Sequence, residues 1–120
     1  MSSTRSRIWL ACVVTLIIGA SSSSSVSLPG VIGIDKLGHF ALFGLLATHL
    51  HLSGLCGRRL WVALLVCSGF GLLDELHQSF TPGRSVDLLD WVADSSGAAL
   101  ALVLHAHWAP YRRLLEFRLL

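Results

Sequence analysis

The sequence predicts an all-α membrane protein, a single domain over residues 1–120 that forms an antiparallel bundle of four transmembrane helices. Of its 120 residues 53% are hydrophobic and only 13% are charged, and the mean hydropathy is +0.69. Soluble proteins carry about a quarter charged residues. The apolar residues fall into four stretches separated by turn-forming segments. In lipid every backbone polar group must bond within its own helix, so four helices joined by short loops are the simplest arrangement.

The first helix is predicted over about residues 8–27. Its apolar part, residues 8–20, covers about 20 Å as a helix, so it crosses a hydrocarbon core of about 30 Å only together with the serine run that follows. Serine tolerates this position because its hydroxyl can bond back to the helix backbone. A cleavable signal peptide is the alternative, since Arg5 and Arg7 precede an apolar segment that ends in small residues.

Turn-forming glycine and proline residues separate the other three helices, which are predicted over about 36–53, 60–80 and 88–108. The third and fourth are long enough to cross the hydrocarbon core at about 1.5 Å per residue. Pro110 ends the fourth helix because proline cannot donate a helical hydrogen bond. Residues 109–120 mix arginines with leucines, which predicts a cytoplasmic interfacial tail.

Basic residues flank these helices unevenly. If the four helices alternate in direction, seven of the nine basic residues lie on one side, and only Lys36 and Arg84 lie on the other. Because cytoplasmic loops are enriched in lysine and arginine, both termini are predicted to be cytoplasmic.

The charges and cysteines exclude several classes of function. The net charge is +2, and basic residues are not interleaved with aromatic ones, so we expect no nucleic-acid partner. The three cysteines have no CxxC spacing, and no HExxH motif is present, so neither a disulfide framework nor a zinc site is indicated. We therefore predict no metal and no cofactor.

Ionisable residues concentrate at the predicted outer ends of helices two, three and four. Asp35 and His39 are four residues apart, and Asp87, Asp90 and Asp94 are spaced i, i+3 and i+7, so each set lines one helix face. Glu75 and Gln78, three residues apart, form a third such face, and the three faces can converge on one outward-facing pocket. The candidate ligand-binding residues are Asp35, Lys36, His39, Glu75, Gln78, Arg84, Asp87, Asp90 and Asp94.

Two of these carboxylates lie below the predicted water line. Glu75 and Asp94 are about 7.5 to 9 Å inside the ends of their helices. A carboxylate within a span costs about 2.5 kcal/mol or more, so such groups normally turn inward, pair and serve a function. On the fourth helix Ala93, Gly97 and Ala101 have the spacing that lets a neighbouring helix approach closely.

The outer cluster carries an excess of negative charge, because six acids face only Lys36 and Arg84. Some carboxylates must therefore be protonated, paired, held by a cation or exposed, and Asp35, Asp74 and Asp87 are expected to be the exposed ones. Structural pairing that fixes helix register is the alternative to a functional pocket. Asp74 and His77 could equally form a solvent-exposed pair at the edge of the bundle or belong to the functional pocket.

Three polar motifs follow one another within residues 31–105. They are Asp35-Lys36-Leu37-Gly38-His39-Phe40, then Glu75-Leu76-His77-Gln78-Ser79-Phe80, then Pro82-Gly83-Arg84-Ser85 followed by Asp87, Asp90 and Gly97. Together they resemble the VanZ-like family of small bacterial membrane proteins. The resemblance implies a multi-pass protein of the bacterial cytoplasmic (inner) membrane, linked to teicoplanin-type glycopeptide resistance. Asp94 departs from the family, which usually has asparagine there.

Three functions fit these residues. The first is binding of a membrane lipid or lipid-linked envelope precursor, with Lys36 and Arg84 holding phosphate or carboxylate oxygens. The second is an enzyme acting on an envelope lipid or peptide, in which His39 and Glu75 are the candidate catalytic acid and base and Asp35 orients the imidazole. The third is a proton-coupled carrier, which the few polar groups in the inner halves of the helices disfavour. The sequence leaves the oligomeric state open.

Overall fold

Five α-helices make up the computed structural model, which describes residues 3–21, 32–82 and 87–118, with side chains over 3–20, 36–82 and 87–115. The predicted all-helical class is confirmed over these residues, which contain no strand. In chain order the helices are α1 (Ser3–Ser21), α2 (Ile32–Leu52), α3 (Leu60–Gln78), α4 (Leu88–His107) and α5 (Ala109–Arg118).

The helix bounds differ from the predicted ones mainly at N-terminal ends. α1 begins at Ser3 and α2 at Ile32, ahead of the predicted starts at 8 and 36. For α1 the reason is physical: hydropathy marks the part of a helix that fits lipid, whereas backbone hydrogen bonding continues through polar residues such as Arg5 and Arg7. The predicted end of the first helix, residues 22–27, lies outside the described residues.

Local signals explain where the later helices begin and end. Gly54 and Gly57 have φ angles of 78° and 69° in the turn between α2 and α3, a conformation that glycine adopts without a Cβ penalty. α4 begins after Asp87, whose carboxylate accepts the Leu89 backbone N–H at 2.9 Å as an N-cap. α4 ends at His107, because Trp108 is extended and Pro110 fits only the first turn of α5.

α2 lies at the centre of the bundle, where it packs against α1, α3 and, most extensively, α4. Glycine permits the close approach of α2 and α4. A Cβ placed on Gly97 would overlap the backbone carbonyl of Phe40, and one on Gly44 would lie 3.2 Å from the Gly97 carbonyl oxygen. The close approach predicted from the small residues of the fourth helix is therefore present.

The distribution of apolar and polar side chains is unusual for a soluble protein. A small apolar core is formed by Val13, Ile17, Phe43, Leu46, Ala47, Leu50, Ala63, Cys67, Ala98 and Leu102. Many large apolar side chains face outward, among them Leu16, Leu65, Leu73 and Val103. Several ionisable side chains, by contrast, are buried between the helices.

Within the described residues two helices are long and apolar enough to cross a membrane, over Ser3–Ala20 and Leu60–Gln78. α2 and α4 have similar lengths of 21 and 20 residues, but their ionisable residues lower the hydropathy. The four-span arrangement therefore stays a prediction.

Candidate functional site: a buried polar cluster

Side chains from α2, α3 and α4 meet at one end of the bundle. We call this group the polar cluster; its members are Lys36, His39, Asp74, Glu75, Asp87, Asp90 and Asp94. The helices meet here because the chain reverses between α3 and α4, which brings the end of α3 beside the beginning of α4. Of the other predicted residues, Gln78 is buried on α3, three residues after Glu75.

Lys36 joins the beginning of α2 to the beginning of α4. Its Nζ atom donates to Asp87 Oδ2 and to Asp90 Oδ1, both at 2.9 Å. Asp90 is buried, whereas the Asp87 side chain is 42% exposed, so Lys36 and Asp87 form the mouth of the polar cluster. The hydrogen bond from Lys36 lowers the pKa of Asp87 below its ordinary value. Arg84, the other basic residue predicted at this end of the bundle, lies outside the described residues.

His39 and Asp94 form the closest ionisable pair below the mouth. His39 Nδ1 lies 2.7 Å from Asp94 Oδ1, and His39 Nε2 lies 3.8 Å from Asp90 Oδ2. A carboxylate this close to Nδ1 favours the proton on that nitrogen and sets the ring orientation. The sequence assigned this role to Asp35, whose side chain lies outside those described, so that assignment stays a prediction. The structure shows that Asp94 contacts the imidazole.

The carboxylate of Glu75 is nearly enclosed, with the residue 1% exposed. Its Oε2 accepts the backbone N–H of Asp87 at 3.1 Å, which ties α3 to the start of α4. Its Oε1 is buried without a hydrogen-bond partner, and so is Oδ2 of the fully buried Asp94. Buried acceptors in proteins are normally paired, so these two oxygens mark an unusual position.

Asp74 corrects the sequence prediction, because it is 4% exposed rather than solvated. One donor atom each from His39, Asp74 and Glu75 lies within 4.8 Å of the other two. Asp74 belongs to the buried stripe of α3 that also contains Ala63, Cys67 and Gly71, at helical spacing. That stripe was visible in the sequence as small residues and could have identified Asp74 as inward-facing.

Packing around the polar cluster leaves little freedom for these groups. The ring of Phe43 lies nearly parallel to that of His39, with centroids 6.4 Å apart, and also contacts Phe70. Gly71 provides the room that Asp94 needs, because a Cβ there would lie 3.0 Å from Asp94 Oδ2. The imidazole and the carboxylates are thus held in defined positions.

At the opposite end of the bundle, α5 packs against the end of α4. Thr48 Oγ1 and Tyr111 Oη are 2.9 Å apart, and Arg112 donates to the His105 carbonyl oxygen at 2.7 Å. His49 is buried and stacks on Trp9 with centroids 6.1 Å apart. These contacts attach α5 to the bundle and lie away from the polar cluster.

A family model described as VanZ/LLP1 matches residues 3–109, which include α1 to α4 and the whole polar cluster. The chain belongs to the VanZ/LLP1 family. An uncharacterized protein of the fission yeast Schizosaccharomyces pombe is 38% identical over 118 residues, covering 96% of this chain and 72% of the relative. No solved structure matches. Because this relative is eukaryotic, the similarity does not specify a bacterial source.

In this VanZ/LLP1 protein the polar cluster contains five carboxylates against one lysine and one histidine among the described residues. In a low-dielectric interior a carboxylate is costly unless it is protonated or paired with a positive charge. Chemically, the arrangement offers an oriented imidazole, oxygen atoms that accept hydrogen bonds, and an ion pair at the mouth.

Proposed function

We propose that this VanZ/LLP1 protein is an integral membrane protein with four spans, and that its polar cluster binds the polar headgroup of a membrane lipid or lipid-linked envelope precursor. The family and the two long apolar helices support the membrane location. Large apolar side chains facing outward around buried carboxylates also support it. In lipid, ionisable side chains turn towards the interior of the bundle.

The observation that carries the headgroup proposal is the gradient of exposure within the polar cluster. The Lys36–Asp87 ion pair is partly accessible at the mouth, and buried carboxylate oxygens lie below it. Lys36 is already shared between two aspartates, so it favours a headgroup that carries donors as well as negative charge. Hydroxyl, ammonium and amide groups are such donors.

Native mass spectrometry of the protein extracted from membranes tests this proposal. We expect one defined lipid class on the wild type and a substantial loss of it in Asp87→Asn, which keeps the shape of the side chain but removes its negative charge at the mouth. Arg113→Gln, an exposed change on α5, is the control and should retain the lipid. Equal retention by all three proteins, or no lipid on the wild type, would reject a headgroup site at this end.

Localisation and phenotype extend the same proposal. We place the protein in a bacterial cytoplasmic membrane with both termini cytoplasmic and the polar cluster on the outer side, in line with the uneven arginines. Headgroup binding there would reduce sensitivity to teicoplanin-type glycopeptides. Expression in a bacterial host should raise the inhibitory concentration of teicoplanin, and Asp87→Asn should abolish the increase. Terminal reporter fusions that are active only outside the cytoplasm would contradict the orientation.

Catalysis is a second candidate because Asp94 orients His39 at 2.7 Å and Glu75 lies close by. An oriented imidazole beside a carboxylate can act as an acid–base pair. Incubation of the purified protein with the co-purifying lipid tests this function, with His39→Gln and Glu75→Gln as inactive variants. A lipid that remains chemically unchanged after prolonged incubation with the wild type would support binding alone.

A further inference from the structure

We propose that the lower part of the polar cluster is a divalent-cation site, with His39 from α2 and Asp74 and Glu75 from α3 as ligands. One donor atom of each residue lies within 4.8 Å of the other two. The sequence contains no CxxC or HExxH motif. A site of this kind leaves no such motif, because its ligands come from two different helices. Cation binding at this site does not depend on the proposed binding of a lipid headgroup.

The donor set fits a first-row transition metal. One imidazole nitrogen and two carboxylate oxygens are suitable for Zn²⁺ or Mn²⁺. Around a tetrahedral Zn²⁺ with ligand distances of about 2.1 Å, neighbouring donor atoms lie about 3.4 Å apart. Side-chain movements of about 1 Å would therefore gather the three donors around an ion. Three protein ligands also leave at least one coordination position open for another oxygen.

The surrounding contacts resemble those that support metal ligands in other proteins. Metal-binding histidines commonly donate their second ring nitrogen to a carboxylate, which fixes the ring and raises its basicity. Asp94 Oδ1, 2.7 Å from His39 Nδ1, is in that position, so Nε2 on the other side of the ring is the nitrogen that we propose as the ligand. Asp94 is thus a positioning residue rather than a ligand.

An independent observation comes from the buried oxygens. Glu75 is held through Oε2 by the backbone N–H of Asp87, while Oε1 of the same carboxylate is buried with no hydrogen-bond partner. Leaving such an acceptor unpaired costs about 1 to 3 kcal/mol, and coordination to a cation removes the deficit. The hydrogen bond to Oε2 also fixes the carboxylate in place, so that Oε1 is available.

The local charge points the same way. Asp74, Glu75, Asp90 and Asp94 are all buried, and the one lysine of the polar cluster already pairs with Asp90 and Asp87. A divalent cation beside Asp74 and Glu75 would neutralise the charge of these two carboxylates. Burial of these acids is then explained by the ion rather than by protonation alone.

The test uses the full chain in detergent micelles, stripped with a chelator and then titrated with Zn²⁺ or Co²⁺ alone. We expect about one tightly bound ion per chain in the wild type. Glu75→Gln and His39→Gln should each weaken binding by more than tenfold. The positioning variant Asp94→Asn should weaken it by about tenfold, as is typical when a carboxylate that holds a metal-binding histidine is lost. His77→Gln, an exposed histidine on the same helix, is the matched control and should bind as the wild type does.

Two further readouts make the result decisive. Circular dichroism establishes that each variant is folded, and Glu75→Asp, which keeps a carboxylate, should recover part of the affinity that Glu75→Gln loses. The Co²⁺ spectrum should lack the thiolate charge-transfer band that coordination by a cysteine would produce. The site is refuted if the wild type binds no ion, or if folded Glu75→Gln and His39→Gln bind as tightly as the wild type. Ion binding without a co-purifying lipid would reject the headgroup proposal and leave the cation site standing.

Discussion

Replacing Gly97 with alanine should disrupt the packing of α2 against α4. The added Cβ would overlap the Phe40 carbonyl oxygen and lie 2.8 Å from the Phe40 carbonyl carbon, inside the 3.4 Å at which ordinary contacts begin. The obstacle is backbone, so no side chain can rotate away. The two helices would have to separate by about 1 Å, which a close-packed interior does not absorb.

The cost can be set against a control on a neighbouring helix. Overpacking of this kind destabilises by about 1 to 3 kcal/mol or more. At Gly69 on α3, an added Cβ meets nothing within 4 Å, so Gly69→Ala should stabilise by up to about 1 kcal/mol through helix propensity. The two alanine variants are therefore expected to shift stability in opposite directions.

Thermal and denaturant unfolding of the detergent-solubilised protein measures both changes. Gly97→Ala should unfold at lower temperature and should also weaken Zn²⁺ binding, because Lys36 and His39 contact α4 across the same interface. If Gly97→Ala is as stable as Gly69→Ala, the close approach of α2 and α4 does not depend on this glycine, and the reasoning is refuted.

Two other predictions concern the ends of the bundle. Asp87 has a lowered pKa in the folded state, so its contribution to stability is present above the ordinary carboxyl pKa of about 3.9. This contribution is lost as the pH falls through the pKa of the folded state. The unfolding temperatures of the wild type and of Lys36→Met should therefore differ at pH 7 and converge in strong acid. Thr48→Val should lose about 1 kcal/mol with the 2.9 Å contact to Tyr111 and increase protease cleavage of α5. Thr15→Val, at an exposed threonine bonded within α1, should leave that cleavage unchanged.

Local and compositional features of the sequence determined the helical class and the approximate extents of the helices. Apolar runs, turn-forming glycines and Pro110 act within a few residues of themselves, so their effects can be read without a partner helix. The small-residue spacing that includes Gly97 likewise indicated a close helix contact before its partner was known. Hydropathy marked apolar stretches rather than hydrogen bonding, which is why α1 begins earlier than predicted.

Only the tertiary structure decided which polar groups meet. Helical spacing places Asp74 and Glu75 next to each other on α3, but the rotation of α3 against its neighbours buries both of them, and no single-helix pattern reports that rotation. The pairing of Lys36 with Asp87 and Asp90, and of His39 with Asp94, joins residues more than fifty positions apart. Such pairs depend on the relative register of α2 and α4. That register follows from the packing of the two helices, including the close contact of Gly97 with the backbone of Phe40, and it cannot be read from the order of residues along the chain.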